Sequence, residues 1–584
     1  MTSVKANRAT WRRSVAPCTF TAVSELVIGA RRPNRHPRLR SAAIAAGLLL
    51  LAALVSYLIF QRLVSYREPS GSLPDGAVAV QADGTLGWGP CSLAHRGGIA
   101  VLRVVGKPHT LGACHGRLLG AQVGAVAATL RRTVEAAVPE GGLVSRMFGG
   151  ARLRWRLRLI DDGMPATQIA EVAGVVHGAD RAAGAAPDFE ELVTVQAALD
   201  IGRPVKVSPG AAYGAVARGL SFALSAGKGE APHLVLGRSF SLLGAGDGGE
   251  AASRAVVVEL VRPDGGIPFA SVTWPGMVGA VTGINAEGLA VLVHPAPSSD
   301  VRTTRAAQPA ALVARDVLER AHDMDEAVKM IEQAAPLGAA GFFLADGKAQ
   351  VAWIERSPGK TRVVRGWSPP VAGDFFTTEP FLDDPDTERA RRTRPSSARV
   401  ARASELARRA PVPSVEQAVA ILRDSARAGG APLPAGHRAA IDDGEAVHTV
   451  VIDPIDMVLW VADGPGASAR YRAFDLAAEL RGAAGRTPPA DLPADPARDP
   501  ADAWQVTAAR GELRRARAAS GSGARELANH ALARRSDLPE ALLLAGQLAH
   551  QAGDQAAAGA LFKRYLAGGA DDLAAEEQVR AFEQ

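Results

Sequence analysis

Cysteine is nearly missing from this chain, with three residues in 584. None stands with histidine at zinc-ligand spacing, so the sequence predicts no structural metal. A phosphate-cradling Gly-x-x-x-x-Gly-Lys-Ser/Thr run is missing too. Gly244, Gly246, Gly248 and Gly249 follow a strand-like stretch but read as a loose loop, and no cofactor is expected. There is no Gly-x-Ser-x-Gly elbow of the kind that lifts a serine nucleophile above a sheet. Aromatic residues make up only 5%, so the 47% hydrophobic share leans on alanine. Much of the excess behind the net charge of +6 sits at one end, which argues against a nucleic-acid partner.

What is present begins with charge. Lys5, Arg8, Arg12 and Arg13, then Arg31, Arg32, Arg35, Arg38 and Arg40, precede an uncharged run from Ser41 to Phe60. At about 1.5 Å per helical residue, that run spans a bilayer core of roughly 30 Å. Positive residues on its N-terminal side predict that residues 1–40 stay in the cytoplasm and that the chain beyond the run is exported. A cleaved signal peptide is the alternative. The long leader, the long run and the lack of an Ala-x-Ala exit favour an uncleaved signal anchor over residues 41–63. The partner of residues 41–60 is then the lipid bilayer, and the main domain lies in the periplasm or outside the cell. Cys18 falls on the cytoplasmic side. Cys91 and Cys114 fall outside, where a disulfide can persist. Two cysteines permit one pairing without demonstrating it.

Residues 64–85 are polar, with Gly and Pro, and read as a tether. Residues 86–480 alternate short β-rich runs with alanine-rich helical ones. Ala255–Val261, Gly288–Val293 and Val450–Ile452 are strand-like. Ala311 to Gln333 has helical spacing, with Asp323 or Asp325 able to cap a second helix inside it. Residues 481–503 form a linker, since Arg486 to Asp502 holds five prolines. Residues 504–584 are helical in pattern. Glu540–Leu548 and Ala556–Leu566 pair across a turn at Gln551–Asp554, with small residues at Ala541, Gly546 and Ala560 where helices would cross. This resembles a tetratricopeptide unit. A plain helical hairpin packed on the main domain fits equally well.

Four segments of the central region recur in an order that points to a family. They are Gly112-Ala113-Cys114-His115-Gly116, Gly219-Leu220-Ser221-Phe222-Ala223 followed by Gly237-Arg238-Ser239-Phe240-Ser241, Trp274 to Leu289, and Phe376 to Phe381. Together they resemble the isopenicillin N acyltransferase-like family, related to the choloylglycine hydrolases. The resemblance implies an α+β fold, the αββα sandwich of the N-terminal-nucleophile hydrolases, preceded by one transmembrane helix and followed by a small all-α module. It also implies a catalytic cysteine where Gly219 stands. It places an asparagine at Ser239, an orienting aspartate at Ser241 and an oxyanion-binding asparagine at Thr378. Arg238 and Asn285 match the family. Asn285 reads equally well as a turn residue between strands, and His115 reads as structural.

An N-terminal nucleophile needs a thiol or hydroxyl whose own freed α-amine acts as base, so the chain must first cut itself. Oxyanion donors matter as well, since losing one typically costs on the order of 10²–10³ in rate. Gly219, Ser241 and Thr378 each remove one such part. The expectation is a homologue of acyl transferases and amide hydrolases that is catalytically degenerate and binds an acylated or peptide-like ligand. Two alternatives stand beside it. Ser221 shares a strand face with position 219, and a cut after Leu220 would make it an active N-terminal nucleophile. Alternatively, the chain is a scaffold whose helical module binds a protein partner.

Overall fold

The computed structural model describes residues 37–136, 151, 154–155, 158–183, 187–201, 217–225, 233–242, 256–300, 306–366, 368, 370–410, 412–464, 466–569 and 573–583. The basic residues up to Arg35, Cys18 and the glycines from Gly244 to Gly249 lie outside them. Residues 1–62 and 63–584 form separate compact units. Pro37–Val64 is one helix. Its Ser41–Val64 part has a mean hydropathy of 2.5 and is long and apolar enough to cross a membrane.

The second unit is built on two sheets. Among the described residues the larger has eleven strands, with Ala79–Val80, Leu86–Trp88, Cys91–Arg96 and Ile99–Gly106 forming one flank. The other flank runs from Val257–Pro263 through Phe269–Thr273, Thr282–Asn285, Ala290–Pro295, Ala340–Ala345 and Val351–Arg356 to Thr361–Arg365. The flanks join where Ile99–Gly106 pairs parallel with Val257–Pro263. The smaller sheet orders Val371–Ala372, Ala217–Ser225, Leu234–Leu242, His448–Asp453, Val458–Ala462 and Tyr471–Asp475, all antiparallel.

Period-two alternation decides what each face buries. In Ala217–Ser225, Leu220, Phe222 and Leu224 pack outward against the helices Ser396–Arg409 and Val415–Leu422. Ala223 joins Leu236, Leu260, Leu292, Phe343 and Val450 in an apolar layer between the sheets. The outer face of the larger sheet is covered by helices Pro108–Ala136, Ala166–Ala183 and Ala310–Arg320. The layers are therefore αββα.

Helices Pro108–Ala136 and Ala166–Ala183 touch almost backbone to backbone. A Cβ on Gly112 would lie 1.8 Å from the Glu171 carbonyl oxygen, so only glycine permits that crossing. Cys91 and Cys114 are disulfide-bonded and tie the Cys91–Arg96 strand to the first of these helices. Asp323, and not Asp325, caps the helix Met324–Gln333.

The stretch read as a tether docks on the domain. His177 Nε2 lies 3.0 Å from the Glu68 carboxylate and His177 Nδ1 lies 3.0 Å from His109 Nε2. The Trp88 indole donates to the Gly76 carbonyl. The proline-rich linker is pinned too, since the backbone of Leu492 bridges Tyr471 and Asp491 pairs with Arg472.

The C-terminal part folds as helices Pro500–Ala518, Gly521–Arg534, Pro539–Gln551, Gln555–Ala567 and Leu573–Glu583. Gly546 lies against the Phe562 ring, and Ala541 is buried, as their spacing predicts. Ala560 is exposed, and Ala558 takes the buried position, because the phase of the second helix differs by about half a turn. These helices meet the sandwich through buried charges. Arg510 bonds Glu445 and Glu540, Arg438 bonds Glu540, and Glu445 also bonds Arg218 on the Ala217–Ser225 strand.

Candidate active site

The two segments expected to carry the nucleophile machinery form one hairpin ladder. Gly219 pairs with Phe240, Leu220 with Ser239, Ser221 with Arg238 and Arg218 with Ser241. Residues 217–224 are all buried, and the strand runs through positions 219 and 221 without a break. Gly219, Ser221 and Arg238 face the layer between the sheets, whereas Leu220 faces the helices.

Arg238 dominates that layer. Its Nη2 donates to the Val293 carbonyl, and its Nη1 lies 3.1 Å from Ser221 Oγ and 2.8 Å from His294 Nε2. A Cβ built on Gly219 would sit 2.6 Å from Nη1 and 3.1 Å from Cζ. The guanidinium thus fills the space where a side chain at 219 would begin. Burial pushes the Arg238 pKa down to about 9, with buried Asp374 acting in the opposite sense, so the group is cationic at neutral pH.

Sequence pattern does not single out His294. It reaches across from the larger sheet, and its Nε2 lies 2.8 Å from Ser221 Oγ. The Trp353 ring packs edge-on at 5.4 Å. Burial first, and Arg238 second, hold His294 well below the ordinary histidine pKa. A second inter-sheet histidine, His448, faces the Thr282 hydroxyl at 2.9 Å and stacks on Phe240. Burial and Arg238 lower its pKa to about 3. A lone histidine in an apolar run such as Ala290-Val291-Leu292-Val293-His294 ordinarily reads as core. The only signal is its phase, which puts it on the face of Ala290 and Leu292, toward the other sheet.

The remaining sequence candidates sit elsewhere or are engaged otherwise. Asn285 accepts from the Glu287 and Leu289 amides and donates to the Ala321 carbonyl, which makes it the keystone of a hairpin turn. Thr378 donates both its amide and its hydroxyl to the Glu355 carboxylate, which also accepts from Thr377 and the Trp353 indole. Ser239 lies between Leu220 and Thr449 in the sheet, and Ser241 lies opposite Arg218; both are buried. His115 accepts from the Gly276 amide through Nε2, so its Nδ1 carries the proton and donates to Glu259.

A cavity of about 150 Å³ lies beside this layer, lined by Trp353, Val371, Ala372, Gly373, Phe375 and Thr378 among others. Its walls are mostly apolar. Ala372, one of its lining residues, is the register partner of Ser221.

Residues 251–466 match the family described as acyl-coenzyme A:6-aminopenicillanic acid acyl-transferase. That stretch is similar to the acyltransferase family. The match begins after the Gly219–Arg238 hairpin, which joins the matched stretch through the pairing of Leu234–Leu242 with His448–Asp453. No curated protein matches the chain. Among solved structures, the chain is similar to a Caenorhabditis elegans N-acylethanolamine-hydrolyzing acid amidase ortholog. The identity is 15% over 40% of this chain and 93% of that one, with a TM-score of 0.29. Penicillin V acylase from Agrobacterium tumefaciens is 16% identical over 45% of this chain and 78% of that one, with a TM-score of 0.27. A mutant conjugated bile acid hydrolase from Clostridium perfringens is 9% identical over 44% and 92%, with a TM-score of 0.29.

Proposed function

We propose that this chain is a membrane-anchored, exported homologue of acyltransferases and amide hydrolases that holds an acylated or peptide-like ligand and has lost N-terminal-nucleophile catalysis. One observation carries the reading. The space that a nucleophile side chain at 219 would occupy is filled by the Arg238 guanidinium, 2.6 Å from the Cβ position. Arg238 cannot leave cheaply, because it is fully buried and bonded to Ser221, His294 and Val293. The cavity behind Trp353 and Gly373 has the apolar lining that an acyl chain would need.

Anchoring rests on the Ser41–Val64 helix. Export rests on the arginines that precede it and on the Cys91–Cys114 disulfide, which an oxidising compartment would preserve. The helical module would serve as a buttress of the domain, in keeping with its buried charge contacts.

The test is the covalent state of the chain. Intact-mass measurement and N-terminal sequencing of purified full-length protein should give one uncut polypeptide. A fragment beginning at residue 219 or 221 would overturn the reading.

A further inference from the structure

The layer between the sheets holds a polar triangle that an N-terminal nucleophile has no use for. Ser221 Oγ, His294 Nε2 and Arg238 Nη1 stand within 2.8–3.1 Å of one another. All three residues are fully buried. We propose that Ser221 is an internal nucleophile of the uncut chain, with His294 as its general base, and that it takes an acyl group from an amide or ester seated in the cavity behind Gly373. The inference rests on the proposal that this cavity holds an acylated ligand.

Hydrogen-bond direction supports it. A guanidinium only donates, so Ser221 Oγ and His294 Nε2 both accept from Arg238 Nη1, and the Ser221 proton shares the Nε2 lone pair with that donor. Nε2 is then the unprotonated nitrogen, and Nδ1 carries the ring proton. The ring also reaches the backbone of Gly219 and Gly373, which fixes its orientation. This is a nucleophile bonded to a base that a third group holds in place. Arg238 adds a cation beside the oxygen where negative charge would develop. Burial keeps the imidazole neutral, the form a base requires.

Access lies through the smaller sheet's edge. The strand Val371–Ala372 is two residues long and pairs on one side only. Its Ala372 pairs with Ser221, and Val371, Ala372 and Gly373 line the cavity. So short an edge is the part of a sheet that opens at least cost. In the acylation step Oγ bonds the acyl carbon while its proton passes to Nε2. The bond from that carbon to the leaving nitrogen or oxygen breaks, and the leaving atom takes the proton from Nε2. Water then attacks the ester carbon and gives a proton to His294 Nε2, the bond from that carbon to Oγ breaks as Nε2 passes the proton to Oγ, and a carboxylic acid departs.

An alkyl fluorophosphonate tests this on the full-length chain in detergent. Oγ displaces fluoride from phosphorus, and the adduct is located by peptide mass. One adduct on Ser221 of the uncut chain is expected, with none in Ser221→Ala. His294→Gln should slow labelling at least about 100-fold, within the range typical of general-base catalysis. Should His294→Gln unfold, the wild-type pH profile replaces it, because the labelling rate should then stay level as pH falls through about 6.5. An uncut chain without an adduct on Ser221, or equal labelling of His294→Gln, overturns the inference and leaves the proposed function standing. A new N-terminus at residue 219 or 221 overturns the proposed function and, with it, the inference.

Discussion

Arg510 Nε lies 3.0 Å from the Glu540 carboxylate, and both side chains are more than nine-tenths buried. The pair joins two helices of the C-terminal module, and each member is also bonded to the sandwich: Arg510 to Glu445 and Glu540 to Arg438. Removing one partner leaves buried charge unmatched. Glu540→Gln should therefore destabilise the whole domain by about 3–5 kcal/mol, where an exposed pair would give less than about 1 kcal/mol. A urea titration followed by tryptophan fluorescence measures it. A midpoint unchanged from wild type would mean that the module is not a buttress.

Restoring a cysteine at 219 should not restore the family's chemistry. The new side chain would meet Arg238 at 2.6 Å, and Ser241 and Thr378 would still stand where an acid and an oxyanion donor are expected. Gly219→Cys is expected to lose about 1–3 kcal/mol through overpacking and to stay uncut. Chemical denaturation and intact mass report the two outcomes separately. Self-cleavage of this variant would show that the nucleophile was the only part missing.

Acid should weaken the fold through its inter-sheet histidines. His294 and His448 bind protons more weakly folded than unfolded. Below the ordinary histidine pKa of about 6.5, the unfolded chain takes up protons that the folded rings refuse. Stability from these rings is complete above that pH and falls as the pH drops, by roughly 2 kcal/mol for His448 at about pH 5. The difference in unfolding free energy between pH 7 and pH 5 should shrink by that amount in His448→Gln. Equal differences in wild type and variant would place the His448 proton elsewhere.

Layer order was implied by the family resemblance, and the Gly219–Arg238 hairpin was legible in the sequence because alternation and motif order are local properties of the chain. Ser221 was legible as a hydroxyl on the right face. Its partner was not. His294 is 73 residues away on the other sheet, and its own neighbourhood reads as plain core. Ionic contacts across long separations escape sequence reading for the same reason. Glu68 with His177, and Arg218 with Glu445, each join stretches that look like tether, strand or loop when taken singly. Asn285 shows the converse. It reads both as a family-motif residue and as a turn residue, and its amide is spent on a turn.

The parallel seam between Ile99–Gly106 and Val257–Pro263 has a practical consequence. Everything before residue 219 that belongs to the sandwich supplies one flank of the large sheet and two of the helices covering it. The Cys91–Cys114 bond lies wholly within that part and does not cross position 219. A nick at 219 or 221 would leave both pieces interlocked by the sheet, so the native particle would keep its size and charge. Gel filtration of folded protein would be blind to it. Only measurements that first unfold the chain can tell one polypeptide from two.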